Sequence, residues 1–116
     1  MLVVDDERLI CELLIAALTS AGFEVTAVGT GEAALRMLDL DTFAVALVDI
    51  RLPGMDGVSV LEQLHARPAR PAVILMTGYP DTSTESRLGA LSHEGLLRKP
   101  FSIREMLRVV NALVQP

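Results

Sequence analysis

The chain has 116 residues, 51% of them apolar and 22% charged, which is the make-up of one domain around a packed core and excludes a disordered or collagen-like chain. Ten basic against fifteen acidic residues leave a net charge of −5, so the basic excess that grips a phosphate backbone is missing. Aromatics amount to 3% with no Trp, which leaves no platform for stacking bases.

Leu2-Val3-Val4 opens the chain as a short apolar run and meets acidic residues at once, unlike a signal peptide. Leu9, Ile10, Leu13, Leu14, Ala17, Leu18 and Ala21 share one stripe of a 3.6-residue period, which predicts a helix ended by Gly22. Glu24 to Val28 predicts a second strand, and Ala33, Ala34, Met37 and Leu38 a second helix capped by Thr30. Phe43 to Val48 reads as a third strand, followed by the turn pairs Pro53-Gly54 and Asp56-Gly57 and by a helix through Val58, Leu61 and Leu64. Ala72 to Met76 reads as the fourth strand. The stretch from Thr82 to Glu94 is rich in Ser and Thr and holds Gly89, so it predicts a short helix of low intrinsic stability. Gly95-Leu96-Leu97 makes the fifth strand. Ser102 with Glu105 forms a capping box before the last helix, whose stripe runs through Ile103, Met106, Leu107, Val110, Leu113 and Val114.

No apolar run reaches the roughly 18–20 residues of a membrane span. Cys11 is the single cysteine, which excludes an internal disulfide and a cysteine-rich metal site and suits a reducing, cytoplasmic compartment. The runs at 2–4, 43–48 and 72–76 lack polar alternation, the mark of strands covered on both faces. Strands alternating with helices imply an α/β fold, a (βα)5 doubly wound parallel sheet forming one domain over residues 1–116. Ligands of such sheets bind beyond the carboxyl ends of the strands.

Those ends carry chemistry. Strand one ends in Asp5-Asp6-Glu7, strand three in Asp49, strand four in Thr77 and strand five in Lys99-Pro100. Singly, each fits a bland role: Asp5 or Asp6 as a helix cap, Asp49 and Thr77 as turn residues, Lys99 as a solvated charge. Together, three carboxylates on one rim would repel each other, and a divalent cation relieves that. Oxygen ligands with no His or Cys nearby suit Mg2+.

In these segments the chain resembles the receiver (response-regulator) domain of two-component phosphorelays over essentially its full length. The matching residues are Leu2-Val3-Val4-Asp5-Asp6-Glu7, Val48 through Gly57, Met76-Thr77-Gly78 and Lys99-Pro100-Phe101. The resemblance implies the flavodoxin-like strand order 2-1-3-4-5. It also implies that Asp49 receives a phosphoryl group from a phosphohistidine on a sensor kinase or phosphotransfer protein. Mg2+ would be held by Asp6, Asp49 and the backbone carbonyl of Arg51, with Asp5 acting through water. Lys99 would pair with Asp49, Thr77 would hydrogen-bond the phosphoryl group, and the Lys99–Pro100 peptide would be cis. The domain would be a signalling switch, not a conventional enzyme, promoting its own aspartyl phosphorylation and dephosphorylation. Its effector would be met through the fourth helix, fifth strand and fifth helix, with homodimerisation open.

Departures from the family touch that signalling face. Leu96 stands where an aromatic switch residue is usual, and Ser92-His93 replaces a small Gly-Ala pair before the fifth strand. Activation is therefore expected to order the weak segment at 82–92. Arg51 and Tyr79 are expected at the site entrance, either as plain surface residues or as controls on water access. His65 and His93 are expected to be exposed, Cys11 to serve packing, and Asp56 and Asp81 to act as turn or cap residues. A haloacid-dehalogenase-type phosphatase would carry a second acid two residues after its nucleophile, where this chain has Arg51. A flavodoxin-like cofactor carrier would need a phosphate loop where Asp5-Asp6-Glu7 stands. A receiver that signals without phosphorylation fits poorly with the complete residue set. No effector is expected within these residues, so the chain is expected to be either a domain cut from a larger regulator or hybrid kinase or a single-domain protein.

Overall fold

The computed structural model describes residues 1–78, 86–89 and 91–114. In chain order its elements are β1 (Leu2–Val4), α1 (Arg8–Ser20), β2 (Thr26–Val28), α2 (Gly31–Leu40), β3 (Val45–Asp49), α3 (Gly57–His65), β4 (Ala72–Thr77), β5 (Gly95–Arg98) and α4 (Ile103–Val114). All neighbouring strands pair in parallel, in the order β2-β1-β3-β4-β5. This is the doubly wound sheet that the alternation of patterns predicts. Register levels the strand ends: Val4 pairs with Val28 and Val48, Asp49 with Met76, and Thr77 with Arg98. Residues that follow these positions are thereby delivered to one rim.

Successive strand residues point to opposite faces, and the core divides accordingly. Leu2, Val4, Ala46, Val48 and Leu75 pack with Val58, Leu61 and Leu64 of α3 and Ala34 of α2. Val3, Leu47, Ile74, Met76 and Leu97 pack on the other face with Leu14 and Leu18 of α1 and with Met106 and Val110 of α4. The central strands β1 and β3 are buried throughout, as their unbroken apolar runs require.

Local chemistry fixes the helix ends. Thr30 Oγ1 accepts from Ala33 N–H at 3.1 Å, Asp56 Oδ1 from Ser59 N–H at 2.8 Å, and Ser102 Oγ from Glu105 N–H at 3.0 Å. Gly22 takes φ +96° directly after α1, a left-handed conformation that side chains resist. Two expectations change here. Neither Asp5 nor Asp6 caps α1; the cap position is Glu7, whose side chain makes no capping bond. The apolar stripe of α1 is also narrower than its sequence, since Leu9 is 80% and Leu13 55% exposed and Ala21 is exposed. Leu13 lies about 100° around the helix from Leu14, past the edge of the face that meets the sheet, and Ala21 lies beyond the last turn.

Of the helix expected between 82 and 94, residues 86–88 are helical and Leu88 and Leu91 pack on the α2/α3 side of the core. The rest of that expectation, with Tyr79 and Asp81, lies outside the described residues.

Candidate functional site

Asp5 extends β1 by donating its N–H to Val28 O at 3.1 Å, which fixes its side chain at the rim, and Asp5 is 1% exposed. Asp49 closes β3 and is 4% exposed; its Oδ1 accepts from Arg51 N–H at 3.1 Å. The turn after Asp49 returns at Gly57, whose N–H meets Ile50 O at 2.8 Å. A Cβ at Gly57 would collide with Asp49 O and stand 2.7 Å from Ile50 Cα, so only glycine lets α3 start this close to β3. Lys99 leaves β5 with its N–H on Thr77 O at 2.7 Å, and the Lys99–Pro100 peptide is cis.

These elements bring five strand-end residues together. One oxygen each from Asp5, Asp6 and Asp49 lie within 4.8 Å of one another, with Asp6 on the exposed side. Into this group Lys99 Nζ donates to Asp5 Oδ2 at 2.7 Å, to Asp49 Oδ2 at 3.0 Å and to Glu7 Oε1 at 3.3 Å. A cavity of about 320 Å³ opens here, lined by Asp6, Glu7, Asp49, Arg51, Gly78 and Lys99. Thr77 is buried at the end of β4, one residue before Gly78 on the cavity wall. Arg51 is exposed at the mouth.

Burial pushes the Asp49 carboxyl above its ordinary value, and hydrogen bonds from Lys99 and Arg51 N–H offset that only in part. For Lys99 desolvation acts against the ammonium, but hydrogen bonds and attraction from Asp5 and Asp49 outweigh it and raise its pKa. Desolvation also lifts the Cys11 thiol, with the Asp5 charge adding to it. The thiol donates to Asp5 O at 3.1 Å and packs on the α1/α4 side of the core. Its hydrogen-bond partner is a backbone carbonyl. The acidic trio is thus an all-oxygen set carrying more negative charge than the single ammonium balances. Such donors fit a hard divalent cation, Mg2+ in particular.

Sequence patterns assembled Asp5, Asp6, Asp49, Arg51, Thr77 and Lys99 at one rim, but they gave no role to Glu7. The signal was its place beside the acidic pair; what was hidden is the contact, which spans 92 positions of sequence. Away from the rim, Asp56 caps α3 as expected and also binds Arg87. His65 is exposed, with Nε2 2.9 Å from Ser92 O. His93 departs from expectation: it is half-buried, and its Nδ1 is shut away without a hydrogen-bond partner among the described residues. Next to it Glu94 N–H bonds Val73 O while its carboxylate takes Val73 N–H at 2.6 Å, drawing His93 against the sheet edge. Leu96 points outward, 47% exposed.

Comparison with known proteins agrees with this geometry. The model of the response regulator receiver domain family matches residues 1–111. The sensory transduction protein RegX3 of Mycolicibacterium smegmatis is 33% identical over 116 residues, covering 99% of this chain and 50% of that protein. The chain therefore spans about half the length of this curated relative. Among solved structures, the signal receiver domain of a signal transduction histidine kinase from Syntrophus aciditrophicus superposes with a TM-score of 0.91 at 26% identity, covering 97% of this chain and 87% of that one. Response regulator protein TrrA from Thermotoga maritima, solved in complex with Mg(2+)-BeF, gives 0.86 at 29% identity, over 97% and 96%. A family match over nearly the whole length, on a sheet whose strand ends gather this acidic rim, establishes that the chain belongs to the response regulator receiver domain family.

Proposed function

We propose that this domain is a phosphoacceptor switch in which Asp49 takes a phosphoryl group from the phosphohistidine of a sensor kinase or phosphotransfer protein. The observation that carries the reading is the contact of one ammonium with Asp5 and Asp49 inside an acidic, metal-competent cavity. Asp49 is the nucleophile because it stands at the centre of the rim with Oδ1 held by Arg51 N–H. In the transfer a carboxylate oxygen of Asp49 bonds to phosphorus as the phosphorus–nitrogen bond to the donor imidazole breaks, and the imidazole takes a proton from solvent. Mg2+, held by Asp6, Asp49 and the Arg51 carbonyl with Asp5 acting through water, would neutralise charge on the transferring oxygens. Lys99 already lies on Asp49 and would pass to a phosphoryl oxygen, while the Thr77 hydroxyl would hydrogen-bond another.

The logic of the site is charge compensation: the Lys99 ammonium and a divalent cation would offset the three carboxylates of the trio before an anion arrives. A cytoplasmic role upstream of an effector goes with that chemistry, as does signalling through the surface of β5, α4 and the segment before β5. Leu96 on that surface lacks the ring and hydroxyl of an aromatic switch, so the readout here works through packing and charge. Incubation with acetyl phosphate and Mg2+ should add one phosphoryl group, read by intact mass and localised to Asp49. Asp49→Asn should lose it; an adduct that survives the change would assign the acceptor elsewhere.

A further inference from the structure

Lys99 is the only lysine in the sequence, and each N–H of its ammonium has a carboxylate acceptor. Two of these, Asp5 and Asp49, are buried members of the acidic trio. The third, Glu7, has a side chain 59% exposed. Glu7 occupies the cap position of α1 without capping it, so its carboxylate is not engaged in starting the helix. It also borders two spaces. One is the acidic cavity; the other is a groove of about 680 Å³ walled mainly by Ile10, Leu13, Leu14, Pro100 and Phe101. Glu7, Gly78 and Lys99 line both, and so form the rim between them.

We propose that Glu7 is a positioning residue and an electrostatic gate: it takes the third N–H of Lys99 and disfavours small phosphoryl donors that carry two negative charges. The proposal deepens the reading of Asp49 as phosphoacceptor and rests on it. The ammonium, with Arg51 on the cavity wall and the metal beside it, is one of the cations that would draw a donor's phosphoryl group toward Asp49. A carboxylate on its outer side cancels part of that attraction where solvent, and any donor, has access. Because the charge is exposed, its influence is modest and screened by salt. Donors should therefore be discriminated by their own charge.

The test compares wild type with Glu7→Gln, which keeps shape and an acceptor oxygen but removes the charge. Acetyl phosphate is a dianion at neutral pH, and phosphoramidate is mainly a monoanion. At low ionic strength the Gln variant should react with acetyl phosphate about three- to tenfold faster, through a lower half-saturating concentration at unchanged maximal rate. With phosphoramidate the gain should be about the square root of that, roughly two- to threefold, and near 1 M salt, where the Debye length is about 3 Å, both differences should close. An equal gain with both donors at every salt concentration would overturn the gate. Lysine-selective isotope labelling yields a single side-chain resonance, which should move on Glu7→Gln in the metal-free protein. An unmoved resonance would overturn the contact itself. A wild type that reacts with neither donor overturns the phosphoacceptor reading and this proposal together, whereas a reactive wild type matched by Glu7→Gln overturns only the role of Glu7.

Discussion

Arg87 grips the residue that starts α3: its Nη1 donates to Asp56 Oδ2 at 2.8 Å while Asp56 Oδ1 accepts Ser59 N–H at the same length. Arg87 Nη2 adds Ser59 Oγ at 3.0 Å and Glu62 Oε1 at 3.1 Å. Desolvation works against the Asp56 carboxylate, but the Arg87 and Ser59 hydrogen bonds prevail and hold its pKa below the usual range. One guanidinium thus fastens residues 86–89 to the helix that follows the Asp49 turn.

Arg87→Ala should therefore speed amide exchange at residues 87–89 several-fold while α1 and the central strands stay unchanged. Because the contact is exposed, high salt should act on wild type in the same direction. Hydrogen exchange by mass spectrometry reads both, and unaltered exchange at 87–89 would show that the fork does not hold the segment.

Asp49 makes stability depend on pH. The folded state binds its proton more tightly than the unfolded chain does, so ionised Asp49 lowers stability. Stability falls as pH rises from the ordinary value of 3.8 through the raised folded pKa. Metal-free Asp49→Asn should melt above wild type at pH 7, and the gap should close on acidification toward pH 4. Asn can still accept Arg51 N–H, and Lys99 keeps Asp5 and Glu7. A variant that melts below wild type at pH 7 would mean the Lys99 contact outweighs the burial of Asp49. Lys99 gives the same sign at higher pH, its raised pKa contributing stability below 10.5 that is lost as pH climbs through the folded value.

Adding Mg2+ should reverse the order of those two melts. Binding to the native state alone stabilises wild type by about 2.7 kcal/mol at 100 times Kd. Asp6→Ala removes one oxygen from the trio without touching Lys99, so its melting point should barely respond. An equal Mg2+ shift in Asp6→Ala and wild type would place the cation elsewhere.

Gly57→Ala sets helix propensity against sterics. Alanine favours a helix over glycine by roughly 1 kcal/mol, but here its methyl group meets the Asp49 carbonyl and Ile50 Cα, backbone atoms that sheet and turn bonds hold in place. The clash should win, at a cost of about 1–3 kcal/mol, lowering the urea midpoint and displacing Asp49. A midpoint equal to wild type would show that the turn can yield.

Strands were legible because burial on both faces leaves an unbroken apolar run, as at Val45–Asp49 and Ala72–Thr77. The rim was legible for the same reason, since parallel register carries whatever follows each run to one edge. Leu9 and Leu13 misled because a hydrophobicity stripe does not say how wide a face its neighbours cover. The contacts of Glu7, Arg87 and Glu94 were not legible. A lone charge has no periodicity, and their partners lie 92, 31 and 21 positions away.

One lysine and nine arginines divide the positive charge of this chain unequally in chemical terms. Amine-directed reagents, whether fluorophores, cross-linkers or the activated esters of a sensor surface, have one side-chain target, and it stands between Asp5 and Asp49. Tethering the protein through that amine would block the acidic cavity and strip Asp5 and Asp49 of their shared ammonium. Binding studies on immobilised material therefore call for a tag, or for attachment remote from the strand ends.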